Sequence, residues 1–130
     1  MIVRTVDEIL DTDRDVRGDG WASRRLLLRS DGMGYSLHDV VVEPGAEMRL
    51  WYKHHLEACF CTEGDAEIED LATGERKPIA PGTVYALDQH DRHVLRTGDA
   101  GLRLVCVFNP PLTGRETHDA DGSYEPSPRD

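Results

Sequence analysis

Long apolar runs are missing from this 130-residue chain. None approaches the ~20 residues that a membrane-spanning helix needs. The opening MIVRTVDEIL carries acidic residues where a secretion signal has a basic segment and then a long apolar one. A cytoplasmic protein with no membrane contact is therefore expected. A surplus of positive charge is missing too, because 25 Asp and Glu stand against 15 Lys and Arg and leave a formal net charge of −10. That balance opposes binding to nucleic acid or anionic lipid, both polyanions, and leaves small-molecule chemistry favoured. Cysteine is sparse, with three in all, and an odd count without a secretion signal points to free thiols. Cys59 and Cys61 fall two apart on an expected strand, with Cα atoms about 6.6 Å apart, near the upper limit for a disulfide, and they read as small core residues.

Helix signals are also scarce. Thr5-Val-Asp-Glu8 has the form of a capping box and predicts one short helix near Val6 to Asp11. The remainder alternates short β-rich runs with Gly or Pro turns: SRRLLLR, YSLHDVVVE, Glu47 to Lys53, Glu57 to Glu63, Ala66 to Asp70, Lys77 to Ile79, Thr83 to Leu87, His93 to Thr97 and Leu102 to Asn109. Turns are expected at Glu63-Gly64-Asp65, Ala72-Thr73-Gly74, Pro81-Gly82 and Gly98-Asp99. Eight to ten such strands predict an all-β jelly roll or cupin barrel in a single domain over 1–130. After Pro110-Pro111 the segment 112–130 is polar and without apolar periodicity, so a flexible, lid-like tail that adds little to the core is expected.

The chemistry concentrates in Trp51 to Gly64, WYKHHLEACFCTEG. From Gly45 the spacing reads G-x5-W-x-K-x3-E-x6-G, which is the ladder of the first cupin motif with Trp51 and Lys53 where two histidine ligands would stand. Glu57 alone keeps its ligand chemistry. A second ladder starts at Gly82 and places His93 eleven residues on, with Tyr85 on the strand between them. Glu57, Tyr85 and His93 make an oxygen, oxygen, nitrogen set suited to iron, with zinc or manganese also compatible. His54 and His55 are adjacent, so at most one can enter the barrel.

Nearly the whole chain resembles the ectoine synthase family, small cupin enzymes of compatible-solute synthesis under osmotic stress. The resemblance runs through MIVRTVDEI, GWASRRLLL, DGMGYSLHD, WYKHHLEA, PGTVYALDQHDRH, RLVCVFNPPLTGRE and HDADGSYEP. It implies a hydro-lyase that cyclises N4-acetyl-L-2,4-diaminobutanoate to ectoine with loss of water, a homodimer, and Fe(2+) held by Glu57, Tyr85 and His93. It also implies that Trp21, Ser23, Arg25, Val40, Tyr52, Cys106, Phe108, Glu116 and His118 meet the substrate. Tyr52, Glu116 and His118 are the residues it offers for proton transfer. Cys106 and Phe108 share one strand face, as wall residues should, and Val40 stands where the family usually has threonine. The count from Gly45 turns Trp51 and Lys53 inward and Tyr52 outward, at odds with that role unless a bulge shifts the register.

Two other readings of the same ladders remain at this stage. One is a non-haem iron cupin dioxygenase, which would normally show more histidine ligands. The other is a ligand-binding cupin without catalysis, to which Trp51 and Lys53 in the histidine positions would be suited.

Overall fold

The computed structural model describes residues 1–127. Near the N-terminus the capping box forms as expected: Glu8 N–H donates to Thr5 Oγ1 (3.2 Å) and Thr5 N–H to the Glu8 carboxylate (3.3 Å). The helix α1 (Val6–Ile9) is shorter than expected, because the chain turns extended at Leu10 (ψ 138°) and Asp11 follows with a left-handed φ of 60°.

Eight strands follow: β1 (Asp15–Gly18), β2 (Trp21–Leu27), β3 (Ser36–Val42), β4 (Glu47–Leu50), β5 (Leu56–Asp70), β6 (Arg76–Ile79), β7 (Val84–Leu87) and β8 (His93–Asn109). All pair antiparallel, in the order β1-β2-β3-β8-β5-β6, with β4 added to β8 and β7 to β5. β8 pairs with β3 through its second half and with β4 through its first, so the sheet folds over on itself as a barrel.

Two expected turns are not turns. Glu63-Gly64-Asp65 and Gly98-Asp99 lie inside β5 and β8, which run unbroken for 15 and 17 residues and pair with each other along almost their whole length. The register of that pairing shifts between Cys61 and Glu63 and again between Gly64 and Ala66. The bends nest: a Cβ on Gly64 would overlap the Gly101 carbonyl. Glycine here permits a bulged bend with close backbone approach, not a chain reversal.

A third correction concerns the tail. Far from adding little, it supplies Leu112 (0% exposed) and Tyr124 (3%) to the same buried cluster as Leu50, Leu104 and Phe108. It is tied down by Leu112 N–H to Ser36 Oγ (3.0 Å), Trp51 N–H to the Gly122 carbonyl (3.0 Å) and Lys53 N–H to Ser123 Oγ (3.1 Å). Gly122 has φ 73°, and a side chain there would collide with the Arg49 carbonyl, so this close passage requires glycine. Two apolar residues separated by polar ones leave no periodic signal, yet each fills a gap over the barrel mouth. The expected end residues 128–130 lie outside the described residues.

Candidate metal centre and substrate cavity

Strand parity brings Glu57 inside. Along β5, Glu57, Cys59 and Cys61 are buried, whereas Leu56 and Phe60 are exposed. The neighbouring strands align chemistry with it: Glu57 pairs with Phe108 of β8, and Cys59 pairs with both Cys106 of β8 and Tyr85 of β7. Glu57, Tyr85, Cys106 and Phe108 are walls of one cavity, together with Trp21, Ser23, Val40, Tyr52 and His118. Val40 faces it beside Ser23, its partner in the β2–β3 register, and presents a methyl where threonine would present a hydroxyl.

His93 opens β8 and lines a second cavity, of which Tyr85 is also a wall. Its Nδ1 lies 2.9 Å from the Asp91 carbonyl. A carbonyl only accepts, so Nδ1 carries the proton and Nε2 is left with a bare lone pair. That Nε2 is fully buried and has no hydrogen-bond partner among the described residues. Burial also lowers the His93 pKa, which favours the neutral imidazole that metals bind. A buried, unpartnered lone pair oriented by a backbone carbonyl is what a metal-binding histidine offers.

Burial raises the Glu57 carboxyl to about 7, although hydrogen bonds with Cys59 and Cys106 pull the other way. Burial likewise pushes the Tyr85 phenol well above its usual value, so without a cation it stays protonated. One donor group falls outside the expected set. Glu57, Cys59 and Cys106 have ligand atoms that all lie within 4.8 Å of one another, a group that does not include His93.

Tyr52 enters the barrel, against the count from Gly45. β4 ends at Leu50 and β5 begins at Leu56; the five residues between are not extended strand, so alternation does not apply to them. Tyr52 is 4% exposed and its hydroxyl lies 2.8 Å from His118 Nε2. Trp51 turns the other way, its indole flanked by Lys53 (4.6 Å) and Arg92 (4.3 Å). Of the adjacent histidines, His54 is exposed and His55 buried.

His118 stacks on Tyr124 (4.6 Å between centroids, 13° between planes) and meets the Trp21 ring edge-on at 5.1 Å. Burial first, then the Arg25 charge, lower its pKa to about 4, so it is neutral near pH 7. The Tyr52 phenol is raised by burial. The two therefore share one proton between a neutral phenol and a neutral imidazole.

Arg25 and Glu116 are both buried, but neither points freely into the cavity. The Arg25 guanidinium donates to the Gly114 carbonyl (2.8 Å), the Glu116 carbonyl (2.6 Å) and Ser23 Oγ (3.3 Å). The Glu116 carboxylate accepts from Thr113 N–H, Thr113 Oγ1 and Gly114 N–H, and sits 3.7 Å from Arg25. Burial alone would raise the Glu116 pKa; the hydrogen bonds outweigh it and hold the group lowered.

Four residues carried too little signal in the sequence. Tyr124 sits in a polar tail with no periodicity. His38, at 0% exposure, and His55 look like ordinary strand or loop histidines, yet each keeps a buried Nδ1 without a hydrogen-bond partner among the described residues. Cys59 reads as core filler, and only the pairing with Cys106 and Glu57 shows it to be a potential ligand.

A small antiparallel β-barrel with the buried Glu57 carboxylate and the Tyr85 phenol facing an interior cavity defines this protein as a cupin. Its backbone is similar to a cupin 2 conserved barrel protein from Salinispora arenicola at a TM-score of 0.66 and 23% identity, over 83% of this chain and 87% of that one. The family model described as ectoine synthase matches residues 1–128, and the chain belongs to the ectoine synthase family. It is 61% identical over 125 residues to the L-ectoine synthase of Desulfosudis oleivorans, covering 96% of this chain and 97% of that protein. With the L-ectoine synthase of Desulfatibacillum aliphaticivorans it shares 63% over 126 residues, 95% and 96% of the two chains. The crystal structure of ectoine synthase from P. lautus superposes with a TM-score of 0.87 at 50% identity, over 100% of this chain and 94% of that one.

Proposed function

We propose that this chain is an L-ectoine synthase, a hydro-lyase that closes N4-acetyl-L-2,4-diaminobutanoate to ectoine and releases one water. The observation that carries the reaction is identity above 60% to named L-ectoine synthases across nearly all of both chains. That likeness leaves no support for the dioxygenase or the non-catalytic reading.

Glu57, Tyr85 and His93 are proposed as the ligands of a ferrous ion, and the orphaned His93 Nε2 is the observation that favours them. A cation at these residues would supply Lewis-acid polarisation of a substrate oxygen. An amide is a poor electrophile, and the attacking amine must be neutral, so protons have to move as well. We assign this role to the Tyr52–His118 pair: the neutral imidazole can accept the proton that the nitrogen sheds as it bonds the acetyl carbon, and the protonated phenol can give one to the departing oxygen. In the balance, the amine nitrogen bonds the acetyl carbon, that carbon loses its oxygen, and two protons leave with it as water. The aromatic walls Trp21, Phe108 and Tyr124 hold the flexible chain in the folded geometry that ring closure needs.

Glu116 enters the proposal as the organiser of the tail turn beneath His118. Arg25 enters as a cation, with three of its five N–H groups engaged by Ser23, Gly114 and Glu116. The homodimer and the cytoplasmic setting belong to the same proposal, the first from the family resemblance, the second from the three free cysteines. Turnover of the acetylated diamine by iron-loaded protein, followed by ectoine formation, tests the reading. Oxygen uptake with the same substrate, or binding without turnover, would sink it.

A further inference from the structure

We propose that Glu57, Cys59 and Cys106 form a thiolate metal site that takes thiophilic divalent ions, zinc in particular, and that competes with the ferrous set for the one carboxylate they share. The inference rests on Glu57 being an iron ligand only for the competition; the sulfur site itself rests on separate residues.

The geometry comes from the strand pairing. β5 and β8 set Cys59 directly opposite Cys106, and the two sulfurs lie 3.3 Å apart. Glu57 is two residues before Cys59, so its side chain leaves the same face, and its carboxylate joins both sulfurs within 4.8 Å. All three residues are buried and both thiols are free. A tetrahedral zinc with bonds of about 2.3 Å to sulfur and 2.1 Å to oxygen separates its two sulfurs by about 3.8 Å and sulfur from oxygen by about 3.6 Å. The thiols therefore need to open by only about half an ångström.

All three residues are walls of the substrate cavity, which leaves a fourth position facing solvent or ligand. The chemistry balances without an oxidant: a divalent ion displaces one proton from each thiol, two S–H bonds break and two metal–sulfur bonds form. Softness decides between the sets. Two sulfurs and one carboxylate suit zinc, cobalt or cadmium, whereas carboxylate, phenol and imidazole suit iron. Because Glu57 belongs to both, filling one set empties the other. Tyr85 and His93 belong to the iron set alone, Cys59 and Cys106 to the sulfur set alone.

Cobalt(II) separates the two by spectrum. Metal-free protein titrated with cobalt under argon is expected to develop a near-ultraviolet sulfur-to-cobalt charge-transfer band that saturates at one ion per chain and is bleached by one equivalent of zinc. The band should weaken in Cys59→Ser and in Cys106→Ser, vanish in the double variant, and persist in His93→Ala. Zinc should expel iron from iron-loaded wild type and fail to do so in the double cysteine variant, with circular dichroism confirming that the variant is folded. A wild-type protein without the band, a band unchanged in the double variant, or a band lost in His93→Ala overturns the sulfur site. Full iron content in both Tyr85→Phe and His93→Ala would instead overturn the iron set and leave the cobalt band standing.

Discussion

Arg25 and Glu116 stand 91 residues apart in the chain, yet the guanidinium of the first donates to the backbone carbonyl of the second at 2.6 Å in an environment closed to solvent. The contact joins β2 to the C-terminal tail and places His118, two residues further on, against Trp21 and Tyr52. A buried cation held by two carbonyls and a carboxylate is satisfied only while the tail is in place.

Removing the arginine should therefore release the tail. Arg25→Ala is expected to cost about 3–5 kcal/mol, because it leaves the buried Gly114 and Glu116 carbonyls without their donor and the Glu116 carboxylate without its counter-charge. A melting temperature lowered by more than roughly 10 °C is the expected reading in calorimetry. Deleting residues after Pro111 should lower it as well, since Leu112 and Tyr124 leave the core. An unchanged transition in both variants would show that the tail docks without stabilising the barrel.

Tyr52→Phe keeps the ring that packs on Phe108 and Tyr124 and deletes only the hydroxyl that meets His118. Turnover is expected to fall by about 10²–10⁴ while iron content stays at the wild-type level. A variant with full activity would remove Tyr52 from the proton path.

Metal content tests the ligand set directly. Glu57→Ala, Tyr85→Phe and His93→Ala should each lower iron per chain in elemental analysis of anaerobically purified protein. His54→Ala, at an exposed position, should not. Iron retained by all three would eliminate the set.

The pH dependence of the metal-free protein should carry the mark of Glu57. Its folded pKa of about 7 lies above the ordinary 4.5, so the folded state holds the proton more tightly. The stabilising contribution is full below about 4.5 and is lost as pH rises through about 7, worth about 3 kcal/mol once the group is ionised. His118 and His38, lowered to about 4 and about 3, mainly by burial, act in the opposite direction and lose stability as pH falls below about 6.5. Comparison with Glu57→Gln isolates the carboxylate: the metal-free variant should melt roughly 10 °C above wild type at pH 8 and close to it at pH 4.5. Parallel curves across that range would show that the carboxyl is not raised.

The barrel and the residues proposed as ligands were legible because they rest on local signals. Period-two alternation, turn glycines and a capping box act over a few residues, and the spacings that mark Glu57, Tyr85 and His93 count residues along paired strands. The sequence could not tell a bend from a turn at Gly64, because the same φ serves both. It could not orient Tyr52, because parity fails once the chain leaves the strand after Leu50.

By itself, then, the sequence determined the all-β class, the family and the identity of the residues available for chemistry, since these depend on composition, order and spacing. Only the tertiary structure decided which of them meet. The packing of Tyr124 on His118, the clasp of Arg25 on Glu116 and the facing of Cys59 and Cys106 arise from strand pairing and tail docking, in which residues 6 to 91 positions apart come within contact. Those contacts follow from how the whole barrel excludes water around its cavity, a balance no local stretch of chain carries.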